Sequence, residues 1–114
     1  MADSTPDPRR DLVAGTLEML ILRTLTVGPA HGYAIAQHLE RLSDGVFRVE
    51  QGSLYPALER LLQKGWATAR WAQSPTGRRA RYYTITRAGQ KQLREKVADY
   101  DRVATAISRV LGRA

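Results

Sequence analysis

Few residues in this 114-residue chain could carry chemistry, and most of those bear charge rather than reactivity. There is no cysteine, hence no disulfide framework and no thiolate nucleophile or ligand. The two histidines are His31 and His38; on one helix they stand about 10.5 Å apart along the axis, too far to share a metal ion. Clustered carboxylate pairs, glycine-rich phosphate loops and nucleophile elbows are all missing, so nothing here is arranged for catalysis. The chain is expected to be a binding protein with no catalytic residue, no metal and no cofactor. Its chemistry is cationic. Eighteen Lys and Arg against eleven Asp and Glu leave a net charge of +7. Nine of those cations (Arg60, Lys64, Arg70, Arg78, Arg79, Arg81, Arg87, Lys91 and Arg94) lie between residues 60 and 94, a stretch without a single acid. Such a stripe is the electrostatic footprint of a polyanion binder. A surface kept basic only for solubility would mix its signs.

The element expected to aim these charges is the stretch from Glu50 to Gly65. Leu54, Leu58, Leu61 and Leu62 recur at helical spacing and define an apolar face. The opposite face collects Gly52, Ser53, Pro56, Arg60, Gln63 and Lys64. Ser53 is placed to cap the helix, which puts Pro56 in the first turn, and Gly65 is a ready stop. The free N–H groups at such a helix start suit a phosphate oxygen. Arg60 and Lys64, one turn apart, extend the polar face toward the same ligand. Without the flanking elements, this stretch could equally be a solvated amphipathic helix.

The flanking elements resolve that ambiguity. Residues 1–10 are polar, carry two prolines and read as a flexible tail. From Asp11 to about Val27, Leu12, Val13, Leu17, Leu20, Ile21 and Leu25 give a helix, and Met19 and Leu22 widen its apolar stripe. Gly28-Pro29 ends it. Ile35, Leu39 and Leu42 mark a second helix over Gly32–Leu42, closed by Ser43-Asp44-Gly45; Val46 to Val49 is a short extended link. Two short helices with a brief link, the second polar and cationic, follow the helix-turn-helix plan.

After Gly65 the apolar period changes from helical to alternating. Trp66–Ala72 and Arg81–Ile85 are strand-like, and residues 73–80 between them form a loop with Pro75, Gly77 and two arginines. A hairpin in this place is a wing, and its tip presents Arg78, Arg79 and then Arg81. Trp71 shares a strand face with Ala67 and Ala69, while Trp66 starts that strand; core packing is expected of both. The alternative is a small-molecule site between protomers on which flat aromatics stack. Thr86 is placed to cap a last helix from about Arg87 to Gly112, roughly 38 Å long. Its Leu93, Val97, Tyr100, Ala104, Ile107 and Leu111 form a heptad seam, broadened by Val103 and Val110. That is more apolar length than so small a body can cover, so the seam is expected to meet a second copy, together with Leu17, Leu20 and Ile21 of the first helix.

Four segments in this order and spacing resemble the PadR family of bacterial transcription regulators: residues 12–22 (Leu-Val-Ala-Gly-Thr-Leu-Glu-Met-Leu-Ile-Leu), 28–35 (Gly-Pro-Ala-His-Gly-Tyr-Ala-Ile), 50–61 (Glu-Gln-Gly-Ser-Leu-Tyr-Pro-Ala-Leu-Glu-Arg-Leu) and 77–86 (Gly-Arg-Arg-Ala-Arg-Tyr-Tyr-Thr-Ile-Thr). The resemblance covers nearly all of the chain after the first ten residues. It implies a mainly α fold with a small β-hairpin, namely a winged helix-turn-helix over 11–86 and a dimerisation helix over 87–114. A single helix after the wing places the chain with the short subgroup. The implied function is a dimeric, sequence-specific double-stranded DNA-binding regulator, usually a repressor, on an inverted-repeat operator. The expected DNA-binding residues are His31, Tyr33, Gln51, Gly52, Ser53, Tyr55, Pro56, Arg60, Lys64, Arg78, Arg79 and Arg81. A small-molecule effector would sit at the dimer interface.

The length fits one small domain, and no apolar run is long enough to span a bilayer, so a cytoplasmic protein is expected, with no membrane partner. A winged helix used as a protein-interaction module is the competing class, but it needs no acid-free cationic stretch and would show a more apolar recognition face. Single-stranded nucleic acid would call for a row of exposed aromatics, whereas most aromatics here read as buried.

Overall fold

The computed structural model describes residues 8–113, with side chains from residue 15 onward. Its elements in chain order are α1 (Pro8–Leu25), β1 (Ala30–His31), α2 (Gly32–Leu42), α3 (Gln51–Gln63), β2 (Ala67–Gln73), β3 (Arg79–Ile85) and α4 (Arg87–Val110). Helix α1 begins three residues earlier than expected; residues 1–7 of the expected tail lie outside the described residues. The strands form one antiparallel sheet in the order β1-β3-β2.

Helical periodicity dictates the core. Leu17, Ile21, Leu22 and Leu25 of α1 meet Ile35 and Leu39 of α2 and Leu54, Ala57, Leu58 and Leu61 of α3. Ala67, Tyr83 and Leu93 close the far side from β2, β3 and α4. Each large aliphatic chain buried this way contributes about 1.5–3 kcal/mol. From Leu17 onward the α1 stripe packs within the chain, with Met19 and Leu20 half-buried. Leu17 and Ile21, expected at a dimer interface, are buried in this core, and Leu20 packs half-buried against it.

Local rules set the ends of the elements. His31 occupies the N-cap of α2, where its Nδ1 accepts the Ala34 N–H at 3.2 Å. Helix α3 closes with the Trp66 N–H on the Leu61 carbonyl and the Gly65 N–H on that of Leu62, a geometry that needs the positive φ of 74° at Gly65. Its start differs from expectation. The N-cap is Glu50, with no side-chain capping bond, and the N–H groups of Ser53 and Leu54 both bond the Glu50 carbonyl. Ser53 is therefore the third helical residue rather than the cap, and Pro56 falls in the second turn. Lacking an N–H, Pro56 leaves the Gly52 carbonyl without its i+4 donor on an exposed face.

The hairpin turns through Ser74–Gly77, with the Gly77 N–H on the Ser74 carbonyl at 2.9 Å. Strand β1, absent from the sequence expectations, pairs Ala30 with Tyr83 and His31 with Tyr82, tying the start of α2 to the wing. Thr86 caps α4 as expected, accepting from the Gly89 N–H at 3.0 Å while donating to the Gly65 carbonyl at 2.7 Å. The root of α4 is pressed against that turn: a Cβ on Gly89 would collide with the Trp66 carbonyl oxygen. Beyond Leu93 the seam leaves the body, and Val97, Tyr100, Val103, Ile107 and Leu111 are all exposed.

Candidate nucleic-acid interface

The residues expected to touch DNA lie on α3, at the start of α2 and on the wing, and they are in two different states. The first turns of α3 are open. Gln51, Gly52, Ser53, Tyr55 and Pro56 are all exposed, and the face of Leu54, Ala57, Leu58 and Leu61 that seats the helix lies opposite. A Cβ on Gly52 would meet nothing within 4 Å, so the space beside it is open. Tyr55 lies over Gly32: a Cβ on that glycine would come 2.9 Å from the phenol oxygen. The absence of a side chain at residue 32 thus makes room for the Tyr55 ring. Next to this contact, Tyr33 is exposed, its hydroxyl accepting from Gln37 Nε2 at 2.9 Å. His31 spends Nδ1 on its cap and stands edge-on to Tyr82, so the neutral ring keeps its proton on Nε2 as a donor.

The cations divide. Arg60 and Lys64 do not extend the polar face freely, as the helical wheel implies. Arg60 Nε donates to Glu18 Oε1 at 3.1 Å, and Lys64 Nζ lies 3.4 Å from the same oxygen. Lys96 Nζ of α4 stands 3.8 Å from the other oxygen. Glu18 is 5% exposed, so its carboxylate survives burial through these three partners. Lys64 and Lys96 also both stand over the Trp66 ring, at 4.6 and 5.3 Å from its centroid. Arg81, on β3, gives its guanidinium to Glu59 of α3 at 3.0 Å and stands over Tyr83, tying wing to helix. Burial raises the Tyr83 phenol above its ordinary pKa, and the neighbouring Arg81 opposes that shift. Arg78 and Arg79 are exposed at the wing and have no carboxylate partner among the described residues.

Trp71 corrects another expectation. It is 59% exposed, on the same strand face as buried Ala67 but past the edge of the core, with Arg79 over its ring at 5.5 Å. Trp66 packs half-buried against the core as expected. Aromatics are more exposed than the sequence implies: Tyr33, Phe47, Tyr55 and Tyr100 join Trp71 at the surface, one on each of five segments rather than in a row. Glu18, Glu59 and Lys96 were not foreseen. For Glu18 there was a signal, an acid standing inside the apolar run from Leu17 to Leu22.

Comparisons with known proteins agree with this architecture. The model of the transcriptional regulator PadR-like family matches residues 21–95. A transcriptional regulator from Clostridium thermocellum superposes with a TM-score of 0.80 at 25% identity, covering 87% of this chain and 96% of that one. A PadR-like transcriptional regulator from Bacillus cereus gives 0.75 at 28% identity, over 89% and 96% of the two chains. A PadR family transcriptional regulator from Eggerthella lenta gives 0.74 at 31% identity, over 90% and 87%. With the family model spanning well over half of its length, and with the wing, helices and order of elements in place, the chain belongs to the PadR-like family of transcriptional regulators, DNA-binding proteins rather than enzymes.

Proposed function

We propose that this protein is a cytoplasmic, homodimeric repressor that binds an inverted-repeat operator in double-stranded DNA and is released by an effector. The observation that carries this reading is the pairing of an open, polar helix start at Gln51–Pro56 with the uncompensated arginines Arg78 and Arg79 on the adjoining wing. A helix start supplies N–H donors and side chains to base edges, while a basic wing holds the neighbouring backbone. His31 and Tyr33 add donors at the edge of the same surface. Arg60, Lys64 and Arg81 contribute charge from positions already fixed by Glu18 and Glu59.

Residues 11–86 act as the DNA-binding unit and 87–114 as the dimerisation helix. The seam of Val97, Tyr100, Ala104, Ile107 and Leu111, exposed except for half-buried Ala104, supports dimerisation, since a solvated apolar stripe of that length has no partner among the described residues. Leu93 anchors the root of the seam in the core. An open cleft of about 470 Å³ between α1 and α4, lined by Arg23, Leu93, Arg94, Val97, Ala98 and Asp101, lies at the same root. A second protomer would roof it, which makes it the place for an effector. Two protomers related by a two-fold axis would present their α3 helices to successive major grooves, about 34 Å apart.

A mobility-shift titration on the DNA upstream of the protein's own gene tests this reading, with sedimentation alongside. The expected result is a shifted band that survives excess unrelated duplex, weakens steeply with salt, and comes from a species that sediments as a dimer at micromolar concentration. A salt-independent complex would remove the phosphate-binding argument. A micromolar monomer would remove the dimer and the half-site spacing with it.

A further inference from the structure

Trp71 is the largest apolar side chain that the fold leaves exposed among the described residues. Strand alternation puts it on the face of Ala67 and Ala69, which the core covers, but Trp71 lies further along the wing, where only β3 is beside it. Two arginines flank it there. Arg81 stands directly opposite in register and is held by the Glu59 carboxylate at 3.0 Å. Arg79 is one strand repeat further toward the tip, and its guanidinium sits 5.5 Å from the indole centroid. Both arginines stand over an aromatic ring, Arg81 over Tyr83, but only Arg81 also has a carboxylate partner. A carboxylate fixes a guanidinium but cancels its charge. An aromatic face fixes it through the ring quadrupole and leaves the full positive charge for an outside anion.

We infer that Trp71 is a positioning residue for DNA binding: its indole holds the Arg79 guanidinium, uncompensated, at the wing surface, so that it meets a backbone phosphate without first losing rotamer freedom. This inference rests on the wing being a DNA-contacting element. The occupant is favoured by the charge beside the ring, since Arg79 stands over it and Arg81 lies opposite it in register, in a segment with no acid from residue 60 to 94. An exposed indole serving a protein partner would lack that field.

The test is a double-mutant cycle read by fluorescence anisotropy on a labelled mixed-sequence duplex, over a series of salt concentrations. Trp71→Leu keeps the apolar bulk and removes the aromatic face; Trp71→Phe restores a face; Arg79→Ala removes the guanidinium. Trp71→Leu is expected to weaken binding about threefold per wing, about tenfold across a dimer, and Trp71→Phe to recover most of it. The combination of Trp71→Leu with Arg79→Ala is expected to bind no more weakly than Arg79→Ala alone, because Trp71 acts through Arg79. Thermal unfolding of both Trp71 variants should match the wild type, since the ring covers nothing in the core. Additive losses would mean that Trp71 meets DNA independently of Arg79, and wild-type affinity in Trp71→Leu would mean that it has no part; either overturns the inference while the DNA-binding reading stands. A wild type that does not bind the duplex overturns both.

Discussion

Two cationic regions of this molecule are built in opposite ways. At the C-terminal end of α3, Arg60 and Lys64 converge with Lys96 on the buried carboxylate of Glu18, which links α1, α3 and α4 through one side chain. At the wing, Arg78 and Arg79 stand in solvent with no acid beside them among the described residues. The first cluster is internally compensated in part, and its cations carry a structural duty. The second is left whole for something outside. A count of positive charge, which treats all nine cations of residues 60–94 alike, misses this division. What separates the two is the position of acids far away in sequence, not the local pattern of basic residues.

The largest expected effect comes from breaking the compensated side. Glu18→Gln keeps the shape of the side chain and removes its charge, leaving three cations crowded around a neutral amide. We expect about 2–3 kcal/mol less stability in urea denaturation, below the full cost of a buried pair because Arg60 and Lys64 can turn to water. Stability within 0.5 kcal/mol of wild type, roughly the usual spread of neutral surface changes, would show that Glu18 anchors nothing. A reciprocal pair sharpens the contrast. Arg79→Ala is expected to leave stability unchanged and to flatten the slope of log K against log salt by about one unit for each phosphate that is no longer neutralised. Arg60→Ala is expected to cost about 1 kcal/mol of stability with little change of slope. An equal flattening in both variants would erase the distinction between the regions. Arg81, paired with Glu59 yet lying on the wing, is the intermediate case. Arg81→Gln should lower stability by only about 0.5 kcal/mol, the worth of an exposed ion pair, with a change of slope smaller than that of Arg79→Ala. A larger stability loss in Arg81→Gln than in Arg60→Ala would invert the order.

Most of the scaffold was legible in the sequence because local rules decide it. The bounds of α2, the Thr86 cap, the Gly65 stop and the apolar stripe of α3 all follow from spacing and terminal residues within a few positions of one another. The rest was hidden because it depends on pairings across the chain. Strand β1 is two residues long and exists only because β3, some fifty positions on, offers it an edge. Arg60 and Lys64 find their partner 42 and 46 residues away, on another helix. For Trp71, alternation correctly assigned the face but could not tell how far along the strand the core extends. Period gives direction; depth belongs to the tertiary structure. The cap of α3 failed for a related reason: Ser53 is a good capping residue, but the helix begins two residues earlier, at Gln51, where nothing local forbids it.

The close approach at Gly89 has a mechanical consequence. With no room for even one carbon between the root of α4 and the Trp66 carbonyl, and with Thr86 bonded to Gly65, α4 is seated directly on the turn that follows α3. Helix α4 is about 36 Å long, so if it moves as one piece a swing of about 5° about its far end would carry the hairpin base through about 3 Å. Small angular changes where the free end of α4 is gripped would thus be delivered to the wing as displacements comparable to the length of a hydrogen bond. A single methyl group at position 89 would loosen the bearing before it altered either surface.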